Sequence, residues 1–341
     1  MSAAGSCTRV DVTEEDFAEF AWREGWTDGL PVVAPTPARV DRLLAEVDLD
    51  RAHVVGVIGP RGGEATVERI AVNAVLAGCP PETFPVVVAA AGLLAAPAMN
   101  IAAVQATTSA ATPAIIVNGP IRARAGLHGG RGALGPGYRA NATIGRAVRL
   151  MLLNIGGGVP DEIDRSSHGL PSKFGVCFAE NEEESPWPGL AAVRGHPGSA
   201  VTMTSIISLT NVRLPDPRPG AVDDEIAIIA DALATRGHKH VQSGAGNPVL
   251  VLSPGTAAIL DRSGFDRDRL AEAVFEVARR DGSGYTDQPL TRYRREGRGG
   301  RVLPYGSPDD LVVVVAGGPE PNQALILSSF VDSPVLTVPI A

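Results

Sequence analysis

One unit near the middle of the chain constrains the fold most: an apolar segment, a long glycine-rich loop and an amphipathic helix. Residues 114–117 are apolar and predict a buried strand. The helix is indicated further on by apolar residues at helical spacing, namely Ile144, Ala147, Val148, Met151 and Leu152. Similar segments recur along the chain, so we expect an α/β fold with buried strands alternating with helices.

The loop between this strand and helix carries six glycines from Gly126 to Gly137. Asn141 or Thr143 is the expected N-cap, so free backbone N–H groups and a positive helix end meet there. Arg139, Arg146 and Arg149 add positive charge, and together these features predict a carboxylate or phosphate site. Alternatively, the glycines only form a turn and the arginines bond the protein's own carboxylates.

The loop has neither the Gly-Lys-Ser/Thr ending of a Walker A motif nor the spacing of a dinucleotide site, and no cofactor is predicted. We expect a small anionic substrate. Its expected ligands are polar or glycine residues around the loop: Thr107, Asn118, Gly135, Gly137, Arg139, Asn141, Thr143 and Arg146.

An acidic cluster follows, with four carboxylates between Glu180 and Glu184. Like charges at this spacing raise one another's pKa, which suits a general acid or base. Glu180 and Glu182 stand between an apolar segment and a Pro-Trp pair, so we predict that they transfer a proton and pair with Arg139 or Arg146. The other two glutamates are expected to be solvated.

Two further residues are candidates for catalysis. His128 lies in the glycine-rich loop and is a candidate proton donor. Cys177 is a candidate nucleophile if Lys173 or an arginine lowers the pKa of its thiol, although a free cysteine is also a common core residue.

A metal site is an alternative prediction. His238 and His240 would share a face of an extended segment and could hold a metal with His168 or a glutamate. The same pair could instead cap a helix.

Charge and cysteine content narrow the class of protein. The net charge of −8 argues against nucleic acid or an anionic membrane as the partner. The N-terminus lacks the pattern of a signal peptide, and the three cysteines form no C-x-x-C pair. These features favour a cytoplasmic location, and we expect the protein to form a homo-oligomer.

A proline-rich stretch at 214–220 is the best candidate for a domain boundary. We therefore predict an N-terminal α/β domain, 1–213, and a C-terminal α/β domain, 221–341. The two parts share a faint order of elements, so two related halves around a central cleft are one possible architecture.

Several segments resemble the UGSC (selenocysteine-Gly-Ser-Cys) family, whose members are often labelled thiol–disulfide oxidoreductases. The similar segments cover roughly residues 20–190 and are Trp26 to Val33, Ala77 to Glu82, Gln105 to Thr108, Ile116 to Pro120, Gly135 to Arg146 and Ala179 to Glu182. The chain departs from the namesake motif: its only Gly-Ser-Cys is Gly5 to Cys7, preceded by Ala4. A redox pair of the U/C-x-x-C type is therefore missing.

These observations favour a cytoplasmic enzyme that acts on a small carboxylate-bearing metabolite by acid–base chemistry, as a lyase or isomerase. The resemblance implies one alternative, a non-catalytic or partner subunit of a thiol or selenol redox system. The histidines supply another, a metal-dependent hydrolase.

Overall fold

The computed structural model describes Cys7 and residues 9–288, 291–297 and 300–340. Within these residues the α-helices are α1 (Phe17–Arg23), α2 (Pro37–Leu44), α3 (Val67–Ala77), α4 (Phe84–Ala95), α5 (Ile101–Ala106), α6 (Ile121–Arg124), α7 (Arg139–Asn154), α8 (Leu190–Val193), α9 (Ala221–Leu233), α10 (Lys239–Ser243), α11 (Pro254–Arg262) and α12 (Arg267–Ala278). The β-strands are β1 (Val54–Ile58), β2 (Gly63–Thr66), β3 (Thr112–Asn118), β4 (Val176–Ala179), β5 (Ala200–Arg213), β6 (Val249–Leu252), β7 (Val312–Val315), β8 (Gln323–Ser329) and β9 (Leu336–Pro339).

Seven of these strands form one mixed sheet in the order β4-β3-β5-β8-β6-β7, with β9 also paired to β5. The α/β class predicted from the sequence is confirmed. Helix α7 is confirmed as well, but its predicted N-cap was wrong. The helix begins at Arg139 after Tyr138, which places Asn141 and Thr143 inside its first turns.

The sheet consists of two half-sheets with the same strand order. β3 pairs parallel with β4 and antiparallel with β5, and β6 pairs parallel with β7 and antiparallel with β8. The 14-residue strand β5 joins the halves, because its register shifts between Ile206 and Ser208 and its second part pairs with β8. The boundary predicted at 214–220 follows β5 within one continuous sheet. Strand β9, which comes after this boundary, pairs with the first part of β5, so the chain crosses between the half-sheets on both sides of it.

Helices cover the outer faces of both half-sheets. The largest core packs α3, α4 and α7 against β3 and the first part of β5. A second core packs α9, α11 and α12 against β6, β7 and β8. A third core joins Ile116 and Phe178 of the first half-sheet with Val251 and Val314 of the second, because the sheet curls.

The most apolar helix, α4, lies mostly inside the first core, as its composition predicts. Among the described residues, no single helix has the length and hydropathy needed to cross a membrane. Pro81–Ala95 and Pro97–Ala106 meet those criteria only as a pair, and this pair is bent by 71°.

Candidate functional site

The carboxyl ends of β3 and β4 bring three of the predicted site residues together. Glu180 is fully buried, and its Oε2 accepts hydrogen bonds from Asn118 Nδ2 at 2.6 Å and from the Leu190 backbone N–H at 2.7 Å. Glu182 Oε1 accepts from the same Asn118 amide and from the Gly119 N–H, both at 2.8 Å. The predicted grouping of these side chains is therefore present.

The arginines that neutralise these glutamates are different from the predicted ones. Glu180 Oε1 accepts a hydrogen bond from Arg267 Nη2 at 2.6 Å, and Glu182 pairs with Arg122 at 3.2 Å. Arg267 begins α12, so this buried ion pair ties the end of β4 to the second half-sheet. Because Glu180 is sealed among protein groups, its contacts fit a structural role.

Arg139 and Arg146 are bonded to the protein itself, as in the alternative interpretation of the loop. Arg139 donates two hydrogen bonds to the Gly78 carbonyl, at 3.1 and 2.9 Å. Arg146 forms a two-pronged ion pair with Asp28, at 2.8 Å for each bond. Burial alone would raise the pKa of Asp28, but the hydrogen bonds and charge of Arg146 outweigh it and hold this pKa below its usual value.

Asn141 holds the glycine-rich loop in place. Its side chain accepts a hydrogen bond from the His128 N–H at 2.9 Å and donates to the carbonyls of His128 and Ala133, at 2.8 and 2.9 Å. His128 stacks on Tyr138 with 3.7 Å between ring centroids. These contacts hold the loop in place through the protein's own groups.

Two other predicted ligands form hydrogen bonds to nearby backbone groups of the protein. Thr143 donates to the Arg139 carbonyl at 2.8 Å inside α7, and Thr107 accepts from the Ser109 N–H at 3.1 Å. Gly137 has a φ of +111°, which only glycine adopts without strain. Four of the predicted site residues, Gly135, Asn141, Arg146 and the candidate nucleophile Cys177, line a cavity of about 420 Å³. We call it the apolar cavity, because Leu30, Leu134, Phe174, Val176 and Leu209 also line it.

The cysteines are protonated thiols in their folded environment. Burial raises the pKa of Cys79 to about 11, and burial together with the nearby Cys79 raises the pKa of Cys177. Burial and the charge of Glu68 also raise the pKa of Cys7. This is the opposite of what a thiolate nucleophile needs.

The His238 and His240 rings lie close together, with 5.3 Å between their centroids. His240 is fully buried with Nε2 2.9 Å from the Leu233 carbonyl, and His168 lies in the loop before β4. Over the described ranges, no three His, Cys, Asp or Glu side chains are placed to hold a metal ion.

A cavity of about 1020 Å³ lies along the loop at 160–174. We call it the polar cavity, because its lining carries Arg149, Asp164, Arg165, His168 and Lys173. This loop follows α7 in the chain and leads to β4, whereas the glycine-rich loop precedes α7.

A cluster of three charged side chains forms one wall of the polar cavity. Lys173 Nζ lies 3.0 Å from one carboxylate oxygen of Asp164 and 3.1 Å from the other, and it donates to the Ala111 carbonyl at 3.3 Å. Arg149 Nη1 lies 3.3 Å from Asp164 and donates to Gln105 Oε1 at 3.1 Å. To the described residues, Nε and Nη2 of Arg149 donate no hydrogen bond.

Burial lowers the pKa of Lys173 below its ordinary value, and the positive charge of Arg149 acts in the same direction against the opposing effect of Asp164. From the sequence, Lys173 is only a candidate for lowering the pKa of Cys177. The chain has 30 lysines and arginines, of which only Lys173 and Lys239 are lysines. The sequence alone does not distinguish these two, because the cavity around Lys173 is set by the fold.

A scan of the chain against protein-family models finds no match, and a search of curated proteins finds none either.

Proposed function

We propose that this chain is an enzyme that binds a small carboxylate-bearing metabolite in the polar cavity and transfers a proton to or from carbon, as a lyase or isomerase. The observation that carries the proposal is the cluster of Arg149, Asp164 and Lys173 in the wall of the polar cavity. It combines a partly buried amine with a guanidinium whose Nε and Nη2 donate no hydrogen bond to the described residues, as a site for an anion requires.

Lys173 is the proton-transferring group in this proposal. Its lowered pKa increases the fraction of neutral amine near neutral pH, and a neutral amine is a general base. Asp164 and the Ala111 carbonyl hold the Nζ atom in place. Arg149 and Arg165 bind the substrate carboxylate, which places the neighbouring C–H bond beside the amine.

The reaction balances without an oxidant or reductant. Lys173 takes the proton and becomes an ammonium, while the C–H electron pair stays on the substrate carbon. In a lyase this pair expels a leaving group from the adjacent carbon. In an isomerase the carbon framework takes the proton back at another position.

Exchange of substrate protons with deuterium tests the proposal. The protein is incubated in D₂O with a mixture of 2-oxo and 2-hydroxy carboxylates, and proton NMR follows the loss of C–H signals. We expect Lys173→Met to lower the exchange rate by about two to four orders of magnitude, as for a lost general base. Lys239→Met is the matched control and is expected to exchange at the wild-type rate. Equal rates for Lys173→Met and wild type would refute the proposal.

A further inference from the structure

The polar and apolar cavities adjoin each other. Pro171 and Phe174 line both of them. Asp28 lines the polar cavity and Arg146 the apolar one, and their two 2.8 Å hydrogen bonds cross the boundary. The guanidinium of Arg146 is therefore neutralised where the apolar cavity begins.

Large apolar side chains are exposed around this boundary. Phe174 is 47% exposed, Leu30 43% and Leu170 41%, and each of them lines one or both cavities. Apolar side chains that are exposed together, rather than scattered, mark a binding surface. Their position beside a polar cavity indicates a ligand with both kinds of surface.

The residues of β4 and of the glycine-rich loop that line the apolar cavity are uncharged. Val176 and Cys177 of β4 line it, and burial keeps the Cys177 thiol neutral. Leu134 and Gly135 of the glycine-rich loop line it as well. Asn141 holds this loop in place through three hydrogen bonds, so the protein's own contacts fix this wall of the apolar cavity.

We infer that the substrate is amphipathic, with a carboxylate in the polar cavity beside Arg149 and Lys173 and an aliphatic or aromatic arm that extends over Phe174 into the apolar cavity. This inference rests on the proposed function and names the substrate class of the same site. The glycine-rich loop then contacts the apolar arm of the substrate, whereas the sequence pattern predicts that this loop binds an anion.

A chain-length series of straight-chain carboxylates, from acetate to octanoate, tests the inference by titration calorimetry on the full chain. Affinity is expected to rise about four-fold for each added methylene, the value for burying a CH₂ group, until the apolar cavity is filled. Affinities that stay the same from acetate to octanoate would overturn it.

Phe174→Ser provides the matched variant, because the side chain is exposed and its removal leaves the core intact. The rise in affinity with chain length is expected to flatten in Phe174→Ser and also in Leu134→Ser. Trp22→Ser is the control, since Trp22 is 60% exposed and lines neither cavity. A wild-type dependence on chain length in both cavity variants would contradict the inference.

Three other outcomes separate the possible failures. If Arg149→Met weakens every acid equally while chain length has no effect, the proposed function stands and the apolar arm is refuted. If Phe174→Ser dissociates an oligomer in sedimentation velocity and leaves the dependence on chain length unchanged, the apolar patch is a contact between copies of the chain. If Arg149→Met and Lys173→Met change neither acid binding nor deuterium exchange, the proposed function itself fails.

Discussion

Two buried clusters of charged side chains have the same chemistry and different surroundings. In the first, the sealed cluster, Glu180 bonds to Arg267 and Asn118, and no cavity described here reaches the carboxylate. In the second, the open cluster, Asp164 bonds to Lys173 and Arg149 in the wall of the polar cavity. The side chains of Glu180 and Asp164 are 0% and 5% exposed, so burial alone does not distinguish them.

The difference lies in access from a cavity. Both carboxylate oxygens of Glu180 accept hydrogen bonds from the protein, and the unused groups of this cluster, Arg267 Nε and Asn118 Oδ1, are buried as well. Nε and Nη2 of Arg149 likewise donate no hydrogen bond to the described residues, but Arg149 lines the polar cavity. A buried ion pair therefore indicates a functional site only where a cavity and an unused donor accompany it.

The sealed cluster should give the largest effect on stability. Glu180→Ala leaves the Arg267 guanidinium buried without its partner, which we expect to cost about 3–5 kcal/mol of the free energy of unfolding. Urea unfolding measures this loss. Lys173→Met in the open cluster leaves Asp164 paired with Arg149 and is expected to cost clearly less. Equal losses in the two variants would remove the distinction between the clusters.

A third buried carboxylate, Glu225, extends the comparison, because neither of its oxygens has a hydrogen-bond partner within the described part of the chain. Burial raises the pKa of Glu225 to about 7 from an ordinary value of 4.5. The folded protein therefore holds a proton that the unfolded chain releases between these pH values, so this group's contribution to stability is lost as pH rises from about 4.5 to 7.

In Glu225→Gln the side chain is neutral at every pH, so the loss of stability between pH 4.5 and about 7 should disappear. We expect it to raise the free energy of unfolding by up to about 3 kcal/mol at pH 8 and to leave it nearly unchanged at pH 4. Thermal unfolding at several pH values measures the difference. A gain that is the same at pH 4 and pH 8 would mean that the proton at Glu225 is not the cause.

The open cluster should give a smaller effect, seen in the pH dependence of activity. The exchange rate is expected to rise with pH through the pKa of Lys173, because only the neutral amine accepts a proton. Asp164 raises this pKa, so in Asp164→Asn the rise should move to lower pH, by about one unit for a lost neighbouring charge. Rate profiles of deuterium exchange measure the shift. A shift to higher pH would contradict the assignment of Lys173 as the base.

Local sequence patterns were sufficient for the elements around the site. The apolar run at 114–117 and the helical spacing from Ile144 predicted β3 and α7, because each pattern reports which face of its own segment is buried. The α/β class followed from the alternation of such segments.

Only the tertiary structure decided which charges meet. Arg146 binds Asp28, 118 residues away, and Arg267 binds Glu180, 87 residues away. Such partners depend on how segments that are distant in the chain pack together, which no local periodicity records. The cavity beside Lys173 and the lowered pKa of its amine likewise arise from burial among residues that are distant in the chain. Physical proximity across the fold therefore moved the candidate site from the glycine-rich loop to the cavity along the loop at 160–174.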